Sequence, residues 1–305
     1  MLPPLTAPAL LQAYEALRPL LPAATFPPRY ARAPDLTPLA DAYDAFFFDA
    51  FGVLNIGETA IAGAAERIVA LRRAGRRVRV VSNAASVPVA ALARKYAALG
   101  FDFAAEEIVS SREALRLHLH TLPLQTWGVM APAEADLSDL PGRMLSLARE
   151  APRQGDAFER ADGFILLAAE GWTNELQERL AAALRTRPRP VLVGNPDLAA
   201  PREHGFSLEP GQAGMTLQQQ GLCVPIGFGK PYPAIFELAL QRLGAAVPRE
   251  RVLMVGDTLH TDILGGRHAG LHTALVTAQG VSAALDWDDA IRSTGIVPHH
   301  VIERI

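Results

Sequence analysis

The chain reads as an α/β protein: a doubly wound, mostly parallel sheet interrupted by a second, inserted α/β unit. Three observations predict this. Short apolar runs alternate with stretches of helical spacing, as in Ala45–Phe48 followed by Ile61–Ala74, and Val78–Val81 followed by Val89–Leu99. The runs are continuous rather than alternating, as in strands buried on both faces of a parallel sheet. At 305 residues the chain is long for one core, so two domains are expected.

Taken in order, residues 1–40 hold nine of the 24 prolines. They predict a short amphipathic helix between Ala7 and Leu17 and then an extended Pro-rich connection, an appendage that covers the core or helps dimerisation. After the Ala45–Phe48 strand, Gly75 and Gly100 close the first two helices. Ile108-Val109 reads as a short strand and Glu113–Leu119 as a helix. The insert supplies strands at Thr126–Met130, Gly163–Leu167 and Pro190–Val193 and a helix from Asn174 to Leu184, while 134–159 is polar and Pro-rich, read as loops with a short helix. From Val224 the first pattern resumes: strand Val224–Phe228, helix Tyr232–Leu243, strand Arg251–Val255, helix Thr261–Ala269 and strand His272–Val276. A helix around Ser282–Arg292 and a short strand near His300–Ile302 complete it. The expected division is 1–40, an N-terminal Pro-rich helical extension; 41–122 and 223–305, the two parts of the core; and 123–222, the insert.

Composition narrows the function. Half of the chain is hydrophobic, a fifth is charged and the net charge is -3, which gives no electrostatic case for nucleic acid or an anionic membrane. No run reaches 18 apolar residues. Pro3, Pro4 and Pro8 without a basic start argue against a signal peptide. The lone Cys223 excludes an internal disulfide and fits a reducing cytoplasm; it is read as a small buried residue, not a nucleophile. Of 29 basic residues only Lys95 and Lys230 are lysines. A lysine that persists in such a chain marks a place that wants a compact point charge rather than a planar fork.

The chemistry lies at strand ends. Asp49 ends the first strand, with Gly52 permitting a sharp turn after it. Ser82-Asn83 ends the second. Lys230 stands in Gly229-Lys230-Pro231, and Asp257 and Asp262 in Gly256-Asp257-Thr258-Leu259-His260-Thr261-Asp262. In a parallel sheet these loops emerge on one edge. Three carboxylates there make a hard oxygen site suited to Mg²⁺, since no Cys/His cluster accompanies them. A hydroxyl, an amide and an ammonium beside a metal are what a phosphoryl group requires.

These segments, in this order, resemble the haloacid dehalogenase-like (HAD) hydrolase superfamily, and their spacing looks like its class IIA branch, with pyridoxal phosphatase, 4-nitrophenyl phosphatase and nucleotide phosphatase relatives. Gly194-Asn195-Pro196-Asp197 followed by Gly211-Gln212-Ala213-Gly214 is similar to that branch's large α/β cap. The resemblance covers about residues 41–305 and implies a Rossmann-like core with an inserted cap. It further implies Asp49 as a nucleophile that becomes an aspartyl-phosphate; Asp49, Asp257 and the Phe51 carbonyl as Mg²⁺ ligands, supported by Asp262; Ser82 with the amides of Asn83 and Ala84 on the phosphoryl oxygens; and Lys230 neutralising nucleophile and phosphate. Asn195 is a candidate for substrate contact from the cap, with turn initiation before Pro196 as its alternative.

One position departs from the pattern. Phosphatases of this superfamily carry a second Asp, the general acid and base, two residues after the nucleophile; here it is Phe51. Phenylalanine lends a carbonyl but moves no proton, and losing a general acid typically costs about 10²–10⁴ in rate. The expected activity is therefore a weak Mg²⁺-dependent hydrolysis of a small phosphorylated metabolite. The alternative is a catalytically damped protein that binds such a metabolite. A dehalogenase comes a distant third: an aromatic after the Asp suits it, but the paired carboxylates and the cap do not. A phosphonatase-type imine needs a cap lysine, and 123–222 has none. His260 is read as a helix-start surface residue, and Trp127 and Trp172 as packing residues. Dimers through the cap or the N-terminal segment are compatible with this reading.

Overall fold

Phe46, Phe47 and Phe48 have no polar side-chain group to keep in water, and the strand Ala45–Phe48 runs fully buried through the middle of the molecule. The computed structural model describes residues 6–149, 156–202, 205–244 and 247–305. Alternation along the strand sends Phe47 to one face, against Ile235, Phe236 and Leu238, and Phe46 and Phe48 to the other, against Ile68, Leu71 and Leu92. Helices thus cover both faces, as a parallel sheet demands.

The main sheet has seven parallel strands in the order Ala31–Ala33, His300–Ile302, His272–Val276, Val252–Gly256, Ala45–Phe48, Arg77–Ser82, Ile108–Ser110. From Ala45–Phe48 the chain first builds outward through Arg77–Ser82 and Ile108–Ser110, then returns to lay Val252–Gly256 on the other side. The order therefore reverses between the strands that end at Asp49 and Asp257, and the crevice at such a switch point is where open α/β sheets bind ligands.

The insert builds a second, five-stranded parallel sheet in the order Ile226–Gly227, Val191–Val193, Gly163–Leu166, Thr126–Met130, Arg143–Ser146. An antiparallel hairpin, Ala199–Arg202 with Gly205–Leu208, hangs from it. The expected α/β core with an inserted α/β cap is the architecture found.

Three segments fall differently from expectation. The stretch read as a core strand at Val224–Phe228 forms only Ile226–Gly227, and it pairs with Leu192 and Val193 of the cap sheet. The chain completes the cap before it crosses back, because the exposed Val224 and Ile226 suit an edge rather than a central strand. Ala31–Ala33, expected to be a plain connection, adds an edge strand to the core sheet. The helix expected over Thr261–Ala269 begins instead as a π-helical turn, Leu259–Ile263, before Leu264–His268 continues as α-helix. Such turns recur at functional sites, and this one carries Asp262. Among the described residues no helix is long and apolar enough to cross a membrane.

Candidate active site

Asp49, Asp257 and Asp262 each bring a carboxylate oxygen within 4.8 Å of the other two, and all three residues are buried or nearly so. The fold achieves this with tight backbone. Asp49 follows the central strand, its amide tied to Val255 O at 2.9 Å. Gly52 then turns with φ +85°, and a Cβ there would stand 2.3 Å from Asp257 Oδ2; one on Gly280 would stand 1.8 Å from the same oxygen. These two glycines form a cradle that leaves room for the Asp257 carboxylate. Within it Asp257 Oδ2 accepts from Val281 N at 2.6 Å and Oδ1 from Thr258 Oγ1 at 2.9 Å. Asp262 Oδ2 accepts from Thr258 N at 3.0 Å.

A single ammonium serves two of the three carboxylates. Lys230, 1% exposed, donates from Nζ to Asp49 Oδ1 and lies 2.8 Å from Asp262 Oδ1. The Asp49 pKa is raised to about 6: burial pushes it up most, Lys230 pulls it down and Asp262 pushes it up. Burial, then Asp49 and Asp262, hold Asp257 well above the usual carboxylate range. Burial disfavours the Lys230 ammonium, yet Asp262, Asp49 and Asp197 outweigh it and raise its pKa. Three carboxylates against one ammonium leave negative charge uncompensated in a low-dielectric pocket, and an all-oxygen donor set is what a hard divalent cation takes. The residues fit such an ion.

Beside this cluster lies a polar rim. Ser82 ends its strand 1% exposed, its Oγ accepting from Ala84 N at 3.3 Å and bonded to the Tyr96 hydroxyl. Asn83 works as a brace. Its Oδ1 accepts from Lys230 N at 2.6 Å, and its Nδ2 donates to Lys230 O at 3.0 Å and to Asp197 Oδ1 of the cap at 2.8 Å. Asn195 lines the cavity, but its amide is engaged inside the cap: Nδ2 donates to Glu209 Oε2 and Oδ1 accepts from Asp197 N, both at 3.0 Å. That is the turn-initiating geometry.

The cavity above the carboxylates measures about 720 Å³ and is lined by core, cap and N-terminal helix together, the size of a small-molecule site. Phe51 faces it with Lys95 Nζ 5.1 Å and the Arg202 guanidinium carbon 5.0 Å from its ring centroid. Lys95 pairs with Glu58 at 2.6 Å, and Arg202 with Glu209 at 3.0 Å. So every residue singled out from the sequence, Asp49, Phe51, Ser82, Asn83, Ala84, Asn195, Lys230 and Asp257, borders one cavity, with Asp262 just behind.

Several neighbours escape sequence reasoning. Lys95 had a usable signal, being the chain's other lysine. Asp197, which burial pushes up to about 8, and Arg202 had only cap-loop positions to mark them. Tyr14 had none. His260 is not on the surface: it is 1% exposed and stacked on Tyr14.

Known proteins agree with this picture. Residues 46–136 match the family described as Haloacid dehalogenase-like hydrolase, and 227–305 match a HAD-hydrolase-like family. The chain is 33% identical to Chronophin of Homo sapiens over 274 residues, covering 85% of this chain and 89% of that protein. The chain belongs to the haloacid dehalogenase-like hydrolases. It is also 31% identical to Glycerol-3-phosphate phosphatase of Homo sapiens over 300 residues, covering 88% of this chain and 90% of that one. Among solved structures, a "possible sugar phosphatase, HAD superfamily" of Cytophaga hutchinsonii superposes with a TM-score of 0.78 at 29% identity, over 90% of this chain and 98% of that chain. In this haloacid dehalogenase-like hydrolase the strand-end carboxylates and the cap meet at one cavity.

Proposed function

We propose that this hydrolase is a Mg²⁺-dependent phosphatase of the class IIA branch, acting on a small phosphorylated metabolite through an aspartyl-phosphate on Asp49. The observation that carries the reading is the convergence of Asp49, Asp257 and Asp262 on one another, with the Lys230 ammonium between Asp49 and Asp262. The similarity to a glycerol-3-phosphate phosphatase supports the substrate class, and a similar glycerol phosphate phosphatase of Mycobacterium tuberculosis, 25% identical, carries magnesium.

In this reading Asp49, Asp257 and the Phe51 carbonyl would hold Mg²⁺, with Asp262 supporting them from behind. When bound, the ion supplies positive charge to the phosphoryl oxygens. Asp49 attacks phosphorus while Lys230 balances charge between nucleophile and phosphate, and Ser82 with the Asn83 and Ala84 amides orients the phosphoryl group. Asn83 keeps Lys230 in place through two backbone bonds. The cap excludes water. Phe51 donates no proton, which makes leaving groups that depart as anions the favoured ones.

A second reading has the Phe51 position as its motive: a protein that binds a phosphometabolite without turning it over. Incubation with 4-nitrophenyl phosphate and Mg²⁺ separates the two. Hydrolysis that disappears in Asp49→Asn supports the phosphatase. Tight binding of phosphate esters with no release of 4-nitrophenolate supports the second reading and overturns the first.

A further inference from the structure

We propose that the N-terminal helix Ala7–Leu17 is a working part of the site: through Tyr14 it walls the substrate cavity and pins the cap over the core, which makes Tyr14 a positioning and specificity-determining residue. The substrate half of this proposal rests on the phosphohydrolase reading, whereas the clasp half does not.

The helix is built to dock. Thr6 caps it, Oγ1 accepting from Ala9 N at 3.3 Å, and Pro8 sits in the first turn, where it costs no hydrogen bond. Its buried residues, Ala7, Leu10, Tyr14 and Leu17, recur at three- and four-residue spacing and so share one face. That face does not pack on one body. The cluster it joins contains Leu198 and Ala199 from the cap and Val281 and Leu285 from the core. An amphipathic helix that buries its stripe across two units resists their separation, because opening the cap would return this apolar surface to water.

Tyr14 makes the polar part of the clasp. Its hydroxyl accepts from Leu198 N of the cap at 3.2 Å. Its ring lies against His260 of the core, centroids 5.1 Å apart and nearly parallel, and His260 Nε2 meets Glu15 Oε1 of the same helix at 2.5 Å. One side chain therefore ties the cap loop that carries Asp197 to the π-helical turn that carries Asp262. Burial, reinforced by Asp197, keeps the phenol protonated, so it acts as a neutral group with a proton to donate. Leu10 and Tyr14 also line the 720 Å³ cavity, where they close one side of the space a leaving group would occupy.

The test uses the full-length chain with Tyr14→Phe, which keeps the ring but not the acceptor, and Tyr14→Ala, which removes both. Hydrogen–deuterium exchange is followed in peptides spanning residues 195–202, with peptides over Ala45–Phe48 as the reference. Loss of one hydrogen bond in Tyr14→Phe is expected to speed exchange in 195–202 by roughly 3- to 10-fold, with the reference unchanged. In parallel, kcat/KM is measured over phosphate monoesters with leaving groups of increasing size. Tyr14→Ala is expected to raise the ratio of bulky to small substrates by about 10-fold, an amount typical of a changed pocket contact. Unchanged exchange in 195–202, equal acceleration everywhere including Ala45–Phe48, or an unchanged size ratio overturns the corresponding half. If Tyr14→Ala does not fold, exchange in Tyr14→Phe still decides the clasp. If the wild type hydrolyses no ester, the phosphohydrolase reading and the specificity half fall with it, and exchange again decides the clasp.

Discussion

Lys230 Nζ stands 2.8 Å from Asp262 Oδ1, with the two side chains 2% and 0% exposed, while the same ammonium donates to Asp49. A point charge shared between two carboxylates is what a lysine supplies and an arginine fork does not. Removing it strands buried anions. Lys230→Met is expected to lower unfolding free energy by about 3–5 kcal/mol in metal-free buffer, the scale for breaking a buried ion pair from one side. Urea denaturation measures it, and a loss below about 1 kcal/mol contradicts the role given to this ammonium.

Asp257 faces the opposite predicament. Its pKa is raised by burial, then by Asp49 and Asp262, so its charge strains the metal-free protein. Asp257→Asn is expected to raise Tm without divalent cation by a few degrees, roughly what 1 kcal/mol gives in a chain of this size. The same variant should lose the Tm increase that millimolar Mg²⁺ gives the wild type. Differential scanning fluorimetry with and without EDTA tests both effects, and a variant that still gains stability from Mg²⁺ argues against Asp257 as a ligand.

Acid stability is set far from the site. His299 is pushed down to about 3 by burial, with His272, Arg267 and His300 adding positive charge around it. Its ring stacks on His272 at 3.8 Å, and its Nδ1 accepts from Thr273 N, which requires the neutral form. Tyr43 bridges His272 and His300 with hydroxyl contacts of 2.9 and 2.7 Å. Because the folded pKa lies below the ordinary 6.5, the unfolded chain binds the proton first. Stability is therefore full above pH 6.5 and falls as pH drops toward 3. Since His299 is partly open to solvent, the loss is discounted to on the order of 1–2 kcal/mol. His299→Gln should flatten this limb in urea titrations at pH 7, 6, 5 and 4; an unchanged slope would falsify the assignment.

Phe51 occupies the position where a proton donor is absent, yet Lys95 and Arg202 lie near its ring. An aspartate introduced there would be held ionised part of the time by these cations. Phe51→Asp is therefore expected to raise kcat on alkyl phosphates by about 10- to 100-fold, the low end of general acid catalysis, and on aryl phosphates by less than about 3-fold. An equal gain on both substrate types contradicts the leaving-group account.

How much of this was legible beforehand follows from burial. Ala45–Phe48, Thr126–Met130, His272–Val276 and His300–Ile302 begin and end where the apolar runs do, because central strands carry their signature in composition. The edges do not. Ala31–Ala33 exposes two of its three residues, and Arg143–Ser146 and the Ala199–Arg202 hairpin are half-exposed or interrupted by proline. The same divide runs through the site. Asp49, Ser82 and Asp257 were visible because parallel topology forces strand ends together, and Lys230 because lysine is so rare in this chain. Tyr14 was not, because its place between Leu198 and His260 is decided by how a terminal helix docks, which local pattern does not encode.

In the proposed reaction Asp49 takes the phosphoryl group. With no general base at Phe51 to activate water, the second step should be slower than the first for an acidic leaving group. Rapid mixing with 4-nitrophenyl phosphate and Mg²⁺ is predicted to give a burst of one 4-nitrophenolate per active site. Acid quenching within the burst should leave phosphate on the peptide containing Asp49. Turnover that survives in Asp49→Asn, or a phosphoryl group found on any other residue, would contradict the account.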